Sequence, residues 1–192
     1  MRASIILASA SPQRKTLLNG IGISFRVMPS GIEEDDHPEN DPARRAADLA
    51  RLKARDIAGK KPGNIIIGCD TLVVAESGEL LEKPISEDDA RRMLELQSGA
   101  RSVVHSAVCV VDAEGKLHEG IDSSFVMFKK LSEREIDGWM RSDLWRDRSG
   151  AFQIDGLGQL MIERIEGDWT GIVGLPICLL GKLLEKAGYS LL

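Results

Sequence analysis

The stretch Asn64 to Ala75, NIIIGCDTLVVA, constrains this chain more than any other. It is an almost continuous apolar, β-branched run, the pattern of a buried strand. SIILA, residues 4–8, reads as an earlier strand. After it, Ser11 can cap a helix and Pro12 can occupy that helix's first turn. SFRVMPS, residues 24–30, reads as a second strand leading into an acidic loop from Gly31 to Asn40. Asp41-Pro42 then starts a long helix that ends near Gly59. Ser86 opens another helix, broken at Ser98-Gly99. Arg101 to Val111 and Leu117 to Phe128 read as long strands joined by a turn at Asp112 to Gly115. Ser132 and Glu135 form a capping box for a helix reaching about Arg141. A glycine-rich stretch, Gly150 to Gly158, precedes a strand from Gln159 to Glu166, and Pro176 starts a last helix that stops at Gly188. Strands alternating with helices, plus one hairpin, predict an α/β fold on a mixed sheet.

Composition narrows the function classes. The 192 residues are 43% hydrophobic, which suits one domain over residues 1–192 that needs neither disulfides nor structural metal. Aromatics are only 4%, so the core is expected to be aliphatic. Cys69, Cys109 and Cys178 are far apart, odd in number and without metal-ligand or redox spacing, as expected of reduced thiols in a cytoplasmic protein. The apolar run Ala3 to Ala10 is short and broken by serines, unlike a signal-peptide core or a membrane span. With a net charge of −5 and no basic tract, neither a nucleic acid nor a membrane partner is expected. A small anionic substrate remains compatible, because local positive charge can sit inside an acidic protein.

The informative residues are charges placed where the pattern wants carbon. Asp70 lies inside IIIGCDTLVV, and a buried carboxylate there needs a cation, a metal or several donors. The alternative is that Gly68 ends the strand and leaves Asp70 in a turn. Lys53 shares a helical face with Leu49, Ala50 and Ile57, so it points inward, or snorkels to solvent past its own aliphatic stem. Arg14 sits in the first turn of a helix after two serines. Hydroxyls, free N–H groups and a guanidinium fork there can cradle phosphate, or Ser11 simply caps the helix and Arg14 lies on the surface. The block Glu33-Glu34-Asp35-Asp36 is either solvated loop or a source of oxygen ligands for a hard cation. Glu82-Lys83-Pro84 reads as an exposed turn, and Asp155 lies among glycines that let backbone approach a ligand or merely turn.

Eight blocks, LASASPQRKTLL, GIEE, LARLKA, IIGCDTLVV, LEKP, LSEREI, SGAFQIDGLG and IEGDWTGIVGLP, resemble the Maf family in order and spacing, from Leu7 to Leu184. The resemblance implies an ITPase-like fold, an elongated mixed β-sheet flanked by helices with two lobes around a cleft, occurring as a cytoplasmic homodimer. It also implies a nucleoside triphosphate pyrophosphatase that uses a divalent metal, Mg²⁺ or Mn²⁺, to release pyrophosphate and a nucleoside monophosphate. The family's working residues fall on Ser9, Arg14, Glu34, Lys53, Asp70 and Lys83. On that match Asp70 is the general base and a metal contact, and Glu34 helps hold the metal. Lys53 and Lys83 meet phosphate oxygens, and Ser9 and Arg14 grip the triphosphate. A different class of function, a nucleotide-binding regulator of septum formation, is also linked to the family, although the full set of charged residues favours catalysis.

The base is the open choice. One branch of the family is similar to dTTP/UTP enzymes, with a second arginine where this chain has Gln13 and a glutamine where it has Asp155. Another branch takes 7-methyl-GTP and carries an acidic residue at the latter position. Ser102 stands where a histidine is usually found shortly after the Ser-Gly, whereas Thr71 and the GAF-x-I-x-G framing resemble the pyrimidine branch. An ionised aspartate only accepts hydrogen bonds, and guanine offers paired donors, so Asp155 leads to the expectation of a guanine-type base.

Overall fold

The computed structural model describes residues 4–34 and 37–190. In chain order the elements are β1 (Ile5–Leu7), α1 (Pro12–Gly20), β2 (Phe25–Val27), α2 (Pro42–Lys60), β3 (Ile65–Val74), β4 (Leu80–Leu81), α3 (Glu87–Gln97), β5 (Arg101–Val111), β6 (Leu117–Phe128), α4 (Glu133–Arg141), β7 (Ile162–Glu166), α5 (Trp169–Val173) and α6 (Ile177–Lys186). The sheet runs β2-β1-β3-β5-β6-β7, with β4 pairing off the end of β3. β1 pairs parallel with β2 and β3, while β3, β5, β6 and β7 pair antiparallel in turn. The expected α/β fold on a mixed sheet flanked by helices is therefore present, and the sheet has seven strands among the described residues.

Gly68 does not end the central strand. β3 continues through it to Val74, and Asp70 stands opposite Ala107 of β5. The glycine serves packing instead: a Cβ there would lie 2.2 Å from the Ala50 carbonyl oxygen and 2.7 Å from the Ala54 nitrogen. Only hydrogen at this position lets α2 lie directly on β3. Its capping follows the sequence, with the Asp41 side chain accepting from the Arg44 amide at 2.9 Å and Pro42 in the first turn.

Three apolar clusters surround the sheet. Ala46, Ala50, Ala54 and Ile57 of α2 cover Ile6, Ile66 and Cys109 on one face. On the other, Leu18 of α1 and Leu180, Leu183 and Leu184 of α6 cover Ile5, Leu7, Ile67 and Val108. Both are aliphatic among their fully buried members, as expected. The third, at the far end of β3, is not. Phe128, Trp139, Trp145 and Phe152 join Val73, Leu94 and Val126 there. The buried aromatics of the described residues all lie in that cluster, where both buried indoles find a carbonyl: Trp139 Nε1 donates to Ala151 at 2.9 Å and Trp145 Nε1 to Met140 at 3.1 Å.

Several elements differ from expectation, β2 covering only Phe25–Val27 of the expected residues 24–30. Residues Gly156–Met161 form a 3-10 helix, so the strand expected from Gln159 begins only at Ile162. Gly158 is pressed against the Gln153 carbonyl, where a Cβ would lie at 1.7 Å, and this tight packing winds the segment up before it can extend. The five-residue α5 was hidden by its glycine and its length; Asp168 caps it by accepting from the Thr170 amide at 2.8 Å. Among the described residues no helix is long and apolar enough to cross a membrane.

Candidate active site

A cleft of about 980 Å³ opens between the two lobes, and β3 crosses its floor. Asp70 and Thr71 sit at that crossing. Arg45, Leu49 and Lys53 follow at intervals of four residues along α2, so one helical face supplies them all to the cleft. Lys53 does not snorkel. It is 6% exposed, and its Nζ lies 2.6 Å from Asp70 Oδ1 and 2.8 Å from Glu34 Oε1. Asp70 is 3% exposed, and its Oδ2 has no hydrogen-bond partner among the described residues. A buried carboxylate oxygen without a partner is costly and calls for a ligand.

Across the cleft floor, the start of α1 gives the opposite of a surface arginine. Arg14 Nε donates to the Gly174 carbonyl at 2.9 Å, Nη1 to Ser9 Oγ at 3.0 Å and Nη2 to Thr71 Oγ1 at 3.3 Å. A guanidinium carries five N–H donors, so about two remain for a ligand. The Ser9 hydroxyl also accepts from the Ser11 amide at 3.2 Å, and Ser11 caps α1. The hydroxyl and the fork are thus set rigidly at a helix N-terminus.

Glu34 is half exposed at the cleft rim. Burial would raise its carboxyl, but the charge and hydrogen bond of Lys53 outweigh that, helped by Lys83 and Arg14, and hold it below its usual value. Lys83, on the exposed link between β4 and α3, is therefore near enough to act on the same field. Of the acidic block only Glu34 lines the cleft; Glu33 is exposed outside it, and Asp35 and Asp36 lie outside the described residues. Among the described residues no group of three His, Cys, Asp or Glu has the arrangement to hold a metal by itself. The available oxygens are Asp70 Oδ2 and the Glu34 carboxylate. They fit a hard cation shared with substrate phosphates better than a closed protein cage.

The expected base-reading residues also line the cleft. Gln13 Oε1 accepts from Ser11 Oγ at 3.2 Å, and the Thr71 and Ser106 hydroxyls hydrogen-bond at 2.9 Å. The half-buried Asp155 carboxylate makes no ion pair among the described residues, with Arg148 or otherwise. Ser102 is elsewhere: it is buried and donates to Gln97 Oε1 at 3.3 Å, inside a network that ends on the Gly150 carbonyl. Cys69, next to Asp70 in sequence, is no nucleophile. Burial pushes its thiol up, and Sγ donates to the Gly174 carbonyl at 3.0 Å.

Gln153 and Arg45 are among the cleft residues not singled out from sequence. Gln153 places an amide beside Asp155, with Nε2 donating weakly to the Asp155 carbonyl at 3.4 Å. Arg45 was one arginine among several on α2. Its four-residue spacing to Leu49 and Lys53 was the available signal.

A family model described as Maf-like protein matches residues 4–187. The chain belongs to the Maf-like family. It is a hydrolase of the nucleoside triphosphate pyrophosphatase class. Its relatives include proteins named dTTP/UTP pyrophosphatase from Deinococcus radiodurans, 42% identical over 97% of this chain and 94% of the relative, and from Treponema denticola, 40% identical over 98% of each. A third, from Pyrococcus furiosus, carries the same name and is 39% identical over 94% of each. A solved nucleoside-triphosphatase / dITP/XTP pyrophosphatase from Mycobacterium abscessus overlaps 65% of this chain and 74% of its own, with a TM-score of 0.47 and 17% identity. Nothing about the Maf-like site follows from so partial an overlap.

Proposed function

We propose that this chain cleaves the α–β phosphoanhydride of a pyrimidine nucleoside triphosphate, dTTP or UTP, releasing the monophosphate and pyrophosphate. The observation that carries the chemistry is Asp70: a carboxylate on the cleft floor, fixed through one oxygen by Lys53 and left open at the other. Oδ2 accepts the proton of a water aimed at the α-phosphorus. Lys53 fixes the orientation of that carboxylate and, with Lys83, neutralises charge that develops on the phosphates. Ser9 and the remaining Arg14 donors hold the triphosphate at the N-terminus of α1. A divalent cation, Mg²⁺ or Mn²⁺, would be held by the Glu34 and Asp70 carboxylates together with phosphate oxygens, supplying charge neutralisation and easier deprotonation of water.

The base assignment is supported by the names of the relatives and by Gln153. A primary amide both donates and accepts, which matches the alternating acceptor and donor groups of a uracil or thymine edge. Asp155, in the same wall, favours a second reading, a guanine-type base such as 7-methyl-guanine, because it offers acceptors only. The test is kcat/KM for dTTP, UTP, GTP and 7-methyl-GTP with Mg²⁺ or Mn²⁺. The pyrimidine reading expects dTTP and UTP to lead by tenfold or more, since an unpaired polar group costs about 1–3 kcal/mol. A lead for either guanine nucleotide overturns it. Tight nucleotide binding without pyrophosphate release would instead support the regulator of septum formation. A homodimer is also proposed, to be checked by light scattering of the purified chain.

A further inference from the structure

From the geometry at the cleft rim we infer that Arg45 is a positioning residue, a latch that sets Glu34 and Lys83 at once. The inference rests on the proposed reaction for its kinetic consequence, but not for its structural one. A single nitrogen, Arg45 Nη2, donates to the Glu34 carbonyl at 3.0 Å and to Glu82 Oε1 at 2.8 Å. Glu34 belongs to the acidic loop between β2 and α2. Glu82 immediately precedes Lys83 on the link between β4 and α3. These two segments are far apart in sequence and share no strand pairing. Arg45 ties both to the helix that carries Lys53, two turns further on.

The side chain is only 13% exposed, whereas Glu82 is 52% exposed. The cation is therefore fixed within the wall and the anion is drawn onto it from solvent. Arg45 Nε is buried without a hydrogen-bond partner among the described residues. A buried donor left unpaired is retained at a cost. That cost is hard to explain if the arginine serves packing alone, because methionine or leucine would fill the space without it. Arg45 also lines the cleft, so a direct phosphate contact is the competing role that the experiment must separate from the latch. Other ties to the two segments act near the backbone: Gly31 donates to Asp56 Oδ2 at 3.2 Å, and Gly150 donates to the Glu82 carbonyl at 3.1 Å. They hold the segments to the body but do not register one against the other.

Small misplacement of a reacting group can cost on the order of 10²-fold in rate. Arg45→Met should therefore lower kcat/KM by about 10- to 100-fold, and should speed amide hydrogen exchange in two peptides together, Gly31 to Glu34 and Leu80 to Ile85. Glu82→Gln, which loosens one arm only, should raise exchange mainly in Leu80 to Ile85 and cost less activity. It also serves if Arg45→Met folds poorly. Measuring exchange and kinetics on the same samples decides the matter. A higher KM with unchanged exchange makes Arg45 a direct phosphate contact and overturns the latch. A lower melting temperature with wild-type kinetics in the folded fraction makes it structural and overturns it as well. If the wild type releases no pyrophosphate, the proposed reaction fails, while the exchange data still decide whether Arg45 couples the two segments.

Discussion

Among the described residues the fold buries an aspartate against a lysine at one place and against a histidine at another, and the two pairs are built differently. At the turn between β5 and β6, Asp112 is saturated: Oδ1 accepts from the Glu114 and Lys116 amides at 3.1 and 2.8 Å, and Oδ2 meets His118 Nε2 at 2.8 Å. On the cleft floor, Asp70 has one oxygen on Lys53 and one with no partner. Both carboxylates are nearly inaccessible. What separates a structural pair from a working one here is an unspent acceptor on a residue that lines the cleft. Burial by itself does not distinguish them.

The contrast can be broken by experiment. The largest effect expected is from chelation. With EDTA, pyrophosphate release should stop altogether, because two carboxylates and the substrate phosphates make a cation site that the protein alone does not complete. Melting temperature without nucleotide should hardly change. Full turnover in chelator would remove the cation from the mechanism. Next comes Asp70→Asn, which should lower kcat by on the order of 10²–10⁴-fold. Glu34 stays as a partner for Lys53, so circular dichroism should still report a folded chain. Wild-type turnover in such a sample would put Asp70 in the same class as Asp112.

Arg14→Ala and Lys83→Ala should each cost roughly 1.5–3 kcal/mol in kcat/KM, the range for a charged contact to an anion. Steady-state kinetics beside thermal melts will show whether the loss falls on catalysis. For Arg14 some loss of stability should accompany it, since three protein acceptors lose one of their partners. The smallest effect on turnover belongs to Asp112→Ala: none per folded molecule, with a stability loss of about 1–3 kcal/mol in urea titration. Acid should mimic it. Burial would raise the Asp112 carboxyl, but His118 and the two amides outweigh that and depress it. Its stabilisation is therefore complete above the ordinary carboxylate range and is lost as pH falls through the depressed native value. A stability curve flat through that window would show that the pair contributes nothing.

Sequence pattern made some of this visible and hid the rest for physical reasons. Asp70 and Lys53 stood out because a charge in an apolar period is an anomaly, and the structure joins them. Arg14 could not be decided locally: its guanidinium is set by Gly174, on a segment 160 residues away that spacing does not reveal. Gly68 was ambiguous because a glycine can break a strand or admit a neighbour, and only the position of α2 separates the two. Arg45 and Gln153 were masked by their surroundings, the first among other helical arginines, the second inside a stretch that read as turns. The strand expected at Gln159 failed because contact between Gly158 and Gln153 overrode a simple apolar pattern.

Gly68 has one more consequence. The separation between α2 and β3 is set by a missing methyl group, two residues from Asp70 and facing the same helix that carries Lys53. Adding that methyl must lift the helix or bend the strand, and either movement works directly on the Lys53–Asp70 contact. In a saturation screen scored by turnover, position 68 would rank beside the charged residues although it can touch no nucleotide. The gauge of this active site is therefore steric, and it is held by the one residue that contributes no side chain at all.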